Sequence, residues 1–174
     1  MTFMDALPSP SPARSLERHV ADVESLLAEV IRHAGFQLTC QARRAAREED
    51  DFEAPEFVVE LSGPDSDLLL ERNAVLLDAF EHVALKAVRL EEDFFGKIVL
   101  DCNGWRDLRI QELKLTAQVA AERVMETRDP FPLGPMTPRE RRIVHLALKD
   151  QPAVRTVSEG VGAERRVVIH PARR

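Results

Sequence analysis

Tyrosine is absent from this 174-residue chain, tryptophan occurs once, and aromatic residues make up 5% of it. A platform on which several bases stack in a row is therefore not available, and any stacking falls to Arg, His or Phe. Cysteine is equally scarce. Cys40 and Cys102 stand far apart with no metal or redox spacing, which reads as two reduced thiols in a cytoplasmic protein. No run is long and apolar enough to cross a bilayer, and the N-terminus lacks a basic region followed by an apolar stretch, so direct membrane insertion is not expected. Nor is there a phosphate loop, a nucleophile–base pairing or a metal-ligand spacing, and the five histidines (His19, His33, His82, His145 and His170) form no ligand motif. The expectation is a protein that is not an enzyme and uses no cofactor or metal.

What the chain does have is enough apolar residue, 44%, for one ordinary core or two small ones. Its net charge of -6 conceals a split. From Arg128 onward ten Lys and Arg face five Asp and Glu, a balance of +5, whereas the remainder holds 14 basic against 25 acidic residues, a balance of -11. Contact with a polyanion, if it occurs, belongs to the C-terminal third.

Residues 1–14 contain Pro8-Ser9-Pro10-Ser11-Pro12 and read as a flexible tail. Leu16, Val20, Val23, Leu26, Leu27, Val30 and Ile31 recur at helical spacing and predict a helix over 15–34 with Gly35 as its stop. Alternation over Phe36–Cys40 and the run Phe57–Leu61 predict two strands. Between them Arg43, Arg44 and Arg47 precede Glu48-Glu49-Asp50-Asp51, which reads as a solvated hairpin loop. A helix from Leu68 through Val88, a strand over Lys97–Asp101, and a long helix over 105–127 follow, the last free of Gly and Pro. Val154–Glu159 and Arg165–His170 predict a hairpin around Gly160-Val161-Gly162.

The most specific stretch is Thr137-Pro138-Arg139-Glu140-Arg141-Arg142-Ile143-Val144-His145-Leu146-Ala147-Leu148-Lys149. Thr137 and Glu140 have the spacing of a capping box, with Pro138 tolerated at the first helical position. On the helix that starts here, Ile143, Val144, Ala147 and Leu148 form a packing face, while Arg141, Arg142, His145 and Lys149 gather opposite. Arg141 and His145, four apart, lie one turn above the other and could grip one phosphate or one unstacked base.

This pattern resembles the R-three-H domain, a binder of single-stranded nucleic acid named for an Arg and a His three residues apart. The longer text from Leu133-Gly134-Pro135 through Leu148, with Thr156-x-Ser158-x-Gly160 and Arg165-Arg166-Val167-Val168-Ile169, is similar to the end of the bacterial Jag family, which joins a KH domain to this module. The order helix, strand, strand, helix, strand, ending in Leu100-Asp101-x-x-x-Trp105-Arg106-x-x-Arg109, likewise resembles a type II KH domain. The resemblance implies an α+β protein: a tail (1–14), a KH-like domain (15–104), a bridging helix (105–127) and an R-three-H domain (128–174). In one respect the chain departs from the pattern. A KH domain holds backbone phosphates with a Gly-x-x-Gly loop, and the aligned residues here are Glu71-Arg72-Asn73-Ala74. With both glycines absent and a carboxylate in place, the KH-like unit reads as degenerate, kept for packing, pairing or holding the C-terminal module.

The expected function is binding of single-stranded RNA, with single-stranded DNA second, in post-transcriptional regulation or control of cell elongation. Arg139, Arg141, Arg142 and Lys149 supply phosphate contacts, and His145 a hydrogen bond or a stacking face. By resemblance, Ser158 and one of Arg165 or Arg166 border the same surface; strand alternation puts those two arginines on opposite faces without saying which. The alternative is a scaffold whose acidic KH-like part pairs with another KH protein or with a second copy. The family also implies links to a membrane-protein insertase and the elongation machinery.

Overall fold

The computed structural model describes residues 15–45 and 55–172. The Pro/Ser-rich tail, Arg47 and the acidic block after it lie outside them. Two compact units divide the chain, 1–103 and 104–174. Among the described residues, four α-helices and two three-stranded sheets build them.

The first unit opens on α1 (Leu16–Ala34). Ser15 accepts a hydrogen bond from the Arg18 amide at its start, and Gly35, at φ 77°, takes the left-handed turn that ends it. Of the stripe read from the sequence, Leu16, Val20, Val23, Leu27 and Ile31 are buried, and Leu26 and Val30 are half-buried. His19 is buried beside them, its ring edge-on to Phe94, and neither ring nitrogen finds a partner among the described residues. Strand β1 (Thr39–Arg44) runs antiparallel to β2 (Phe57–Ser62), and β3 (Ile98–Cys102) lies parallel to β2 on its other side. The sheet thus extends further along the chain than the alternation suggests. Arg43 and Arg44 are in β1 rather than in a loop, because Arg44 covers the Phe57 ring and pairs with Glu17 while Arg43 faces Glu60. Phe36 stays outside the strand, edge-on to Phe80.

Between β2 and β3 runs α2 (Ser66–Ala87), which leaves helical geometry at Glu71–Ala74. Arg72, Asn73 and Ala74 all have positive φ, at 51°, 60° and 59°. Val59, Leu61, Leu69, Leu77 and Leu100 are fully enclosed around this framework. Several acidic residues have structural work here. Glu24 accepts from the Ala42 amide of β1, Glu81 from the Leu100 amide of β3, Asp65 from the Gln37 amide and Glu60 from the Asn103 amide. The negative balance of this part is therefore partly backbone capping, not only a solvated surface.

The second unit starts with α3 (Trp105–Thr127), whose packed face is Leu113, Ala117, Ala120, Ala121 and Val124. Three alanines on that face let neighbouring backbone approach closely. Arg128, at φ 65°, ends the helix ahead of Asp129-Pro130. Then come β4 (Phe131–Pro135), α4 (Pro138–Ala147), β5 (Val154–Glu159) and β6 (Arg166–Pro171), the three strands forming an antiparallel sheet in the order β4-β6-β5. Strand β4 is hidden in the sequence by Pro132, Gly134 and Pro135, residues an edge strand tolerates and a central one does not. Central β6 contributes Val167, Val168 and Ile169 to the core. No helix among the described residues is long and apolar enough to cross a membrane.

Candidate nucleic-acid interface

The start of α4 is fixed by the capping box. Thr137 Oγ1 accepts from the Glu140 amide at 3.2 Å, and Glu140 Oε2 accepts from the Thr137 amide at 2.8 Å. The other Glu140 oxygen takes Nε–H of Arg109 on α3 at 2.7 Å, and Arg109 also donates to Glu112. Both members of the Arg109–Glu140 pair are largely enclosed, with side chains 17% and 16% exposed. Glu140 is thus neutralised from within the unit, and its charge does not oppose an approaching phosphate. Nothing local in the sequence signals Arg109 as the helix anchor, since 31 residues separate it from Glu140.

One residue further on, Arg141 is half-buried, and its Nε has no partner among the described residues. A turn later His145 reaches β5. Its Nδ1 lies 2.5 Å from Thr156 Oγ1 and its Nε2 lies 2.9 Å from Ser158 Oγ. Burial pushes the His145 pKa below its ordinary 6.5, and the Arg141 guanidinium pushes it the same way, so the ring is neutral at pH 7. Helical spacing predicts a free donor or a stacking face at His145; in the fold both ring nitrogens are engaged by hydroxyls. Thr156 has a place in the cluster that spacing alone does not suggest.

The remaining cations differ in setting. Arg139 is half-buried and engaged, and Arg142 is exposed on α4. Lys149 does not extend the helical stripe, because α4 ends at Ala147 and the chain turns through 149–151 ahead of Pro152. Its pairing with Asp150, at 3.9 Å between well-exposed side chains, leaves it available. Across the hairpin, Ser158 stands opposite Val167 and Glu159 opposite Arg166. Arg166 therefore shares a sheet face with Glu159, which binds His170 at 3.2 Å, and not the face of Thr156 and Ser158. Arg165, extended at φ -73° and ψ 130°, has the parity of Val167 and falls on the Ser158 side. The hairpin end between them needs Gly160, at φ 90°, where a Cβ would come within 2.8 Å of the Glu164 carbonyl.

A short helix presents Arg141 and His145, and His145 meets the hairpin at Thr156 and Ser158. Residues 111–171, within the second unit, match the R-three-H domain family. The chain is similar to proteins named RNA-binding protein KhpB. The one from Clostridium symbiosum is 32% identical over 114 residues, covering 66% of this chain and 51% of that protein. That of Bacillus subtilis (strain 168) is 27% identical over 111 residues, 63% of this chain and 53% of that one. The protein of Lactiplantibacillus plantarum is 29% identical over 102 residues, 59% of this chain and 32% of that one. The chain spans about half or less of the length of these relatives. These homologues and the R-three-H match bear out the resemblance to the Jag family.

Proposed function

We propose that this protein binds single-stranded RNA, with single-stranded DNA as the second choice of ligand, through its R-three-H unit. The observation that carries the reading is the meeting of His145 with Thr156 and Ser158 between α4 and β5, with Arg141 one turn earlier, near enough to lower the His145 pKa, and its buried Nε unpartnered among the described residues. Arg141, Arg142 and Lys149 supply positive charge, joined by Arg139 and Arg165 at the rim; Arg166 lies on the other sheet face and serves the hairpin rather than the strand. The relatives' printed name, RNA-binding protein, supports the same choice of ligand. A phosphate-based complex weakens steeply with salt, because each neutralised phosphate releases condensed counterions. Affinity of the full chain for a fluorescent oligoribonucleotide should fall linearly with salt on logarithmic axes, and Arg141→Ala with His145→Ala should lower it at least about tenfold, the loss of roughly 1.4 kcal/mol. Unchanged affinity in the double variant would refute the assignment.

The first unit, in this reading, is a degenerate KH-like domain, and α3 leads from it into the R-three-H domain. Support comes from the element order α1-β1-β2-α2-β3 and from the break in α2, which falls on the four residues aligned with the Gly-x-x-Gly loop. Exposed Glu71 at that break opposes a phosphate, which favours a role in pairing, with another KH protein or a second copy, over a second grip on RNA. The protein would then act in the cytoplasm, in post-transcriptional regulation or control of cell elongation.

A further inference from the structure

Each nitrogen of the His145 ring meets one hydroxyl, Nδ1 that of Thr156 and Nε2 that of Ser158. A neutral imidazole has one N–H and one lone-pair nitrogen, so one of its two hydroxyl partners must donate to the ring and the other must accept from it. Two assignments satisfy both contacts: the ring proton on Nδ1, given to Thr156 while Ser158 donates to Nε2, or the ring proton on Nε2, given to Ser158 while Thr156 donates to Nδ1. Neither hydroxyl has a second side-chain partner among the described residues. In the second assignment Thr156 spends its proton on Nδ1, Ser158 receives the ring N–H on a lone pair, and the Ser158 proton is left over.

A phosphodiester oxygen only accepts hydrogen bonds. With the ring proton on Nε2, Ser158 offers it a donor; with the proton on Nδ1, Ser158 would spend its own proton on the ring and present lone pairs instead. Resting on the RNA-binding reading above, we propose that His145 is a positioning residue: Thr156 fixes its tautomer, and the ring turns the Ser158 hydroxyl outward as a donor to a backbone phosphate of the strand held by Arg141. Thr156 and His145 then act without touching the ligand, and Ser158 is the residue of the three that does.

The test uses the full chain, labelled with nitrogen-15, and a fluorescent single-stranded oligoribonucleotide. Long-range proton–nitrogen correlation should place the His145 ring proton on Nε2 in the unmodified protein. Thr156→Val, which keeps the branched shape of the strand residue, should abolish the single tautomer and weaken RNA binding several-fold; Thr156→Ser should restore both. Ser158→Ala should weaken binding about tenfold while leaving the proton on Nε2. A ring proton on Nδ1 overturns the proposal. So does wild-type affinity in both Thr156→Val and Ser158→Ala where Arg141→Ala binds weakly. Equal affinity of Arg141→Ala and the unmodified chain instead overturns the RNA-binding reading, and with it the ligand named here, while the ring spectrum still reports the tautomer.

Discussion

Glu140 serves two partners with one carboxylate: the Thr137 amide, and through it the start of α4, and the Arg109 guanidinium. Removing it takes the acceptor from the Thr137 amide, with only the Thr137 hydroxyl left to cap the helix, and leaves the enclosed Arg109 with the exposed Glu112 as its remaining counter-charge. Glu140→Ala should cost about 2–3 kcal/mol, between the loss of a cap and the breaking of a buried pair, read as a lower urea midpoint. Glu140→Gln, whose amide oxygen still accepts from Thr137, should cost roughly half as much. His145 carries a pH dependence of definite sign. Burial and then Arg141 depress its pKa in the folded chain, so the unfolded chain takes up the proton first. The stability this ring contributes is full above its ordinary 6.5 and drains away as the pH falls through the interval below it. The drop in urea midpoint from about pH 7.5 to about pH 5 should be larger in the unmodified chain than in His145→Asn. At this scale the capping box is legible, because Thr137 and Glu140 are three residues apart and their geometry is helical arithmetic. The Arg109 anchor and the Thr156 contact are not, because they join residues 31 and 11 positions apart that only the fold brings together.

Among the elements, α2 holds the clearest local conflict. Three consecutive L-residues sit in the left-handed region at Arg72, Asn73 and Ala74, a conformation that costs about 1–2 kcal/mol per residue and that glycine adopts freely. If the break is a KH-like loop that has lost its glycines, returning them should return function. In a chain already carrying Arg141→Ala and His145→Ala, adding Glu71→Gly with Ala74→Gly should raise RNA affinity several-fold, with stability changed by no more than about 1 kcal/mol as relieved strain offsets added unfolded-state freedom. No gain in affinity would count against the KH-like reading of the first unit. The helices α1 and α3 and the hairpin strands can be read from spacing because each has one buried face or a clean break at its end. Strand β4 cannot, since its proline and glycine content imitates a loop, and the end of α4 at Ala147 is overrun because the apolar spacing continues to Leu148.

For the molecule as a whole, the opposed charge of its two parts makes a spatial prediction. Ultraviolet crosslinking of the full chain to an oligoribonucleotide, followed by peptide mapping, should place the adducts within 104–172; adducts concentrated in 15–103 would favour the acidic part as the binding surface. The charge split is visible by counting, but counting does not say what the carboxylates are for. Glu24 and Glu81 already occupy backbone donors on the two outer strands of the first sheet. An open sheet margin invites a stranger's strand to zip alongside it, and here each margin is fenced by a charged oxygen held on an adjoining helix. Edge-to-edge fusion of two copies of this sheet is thereby disfavoured at Ala42 and at Leu100, where the donor a foreign strand would need is already taken.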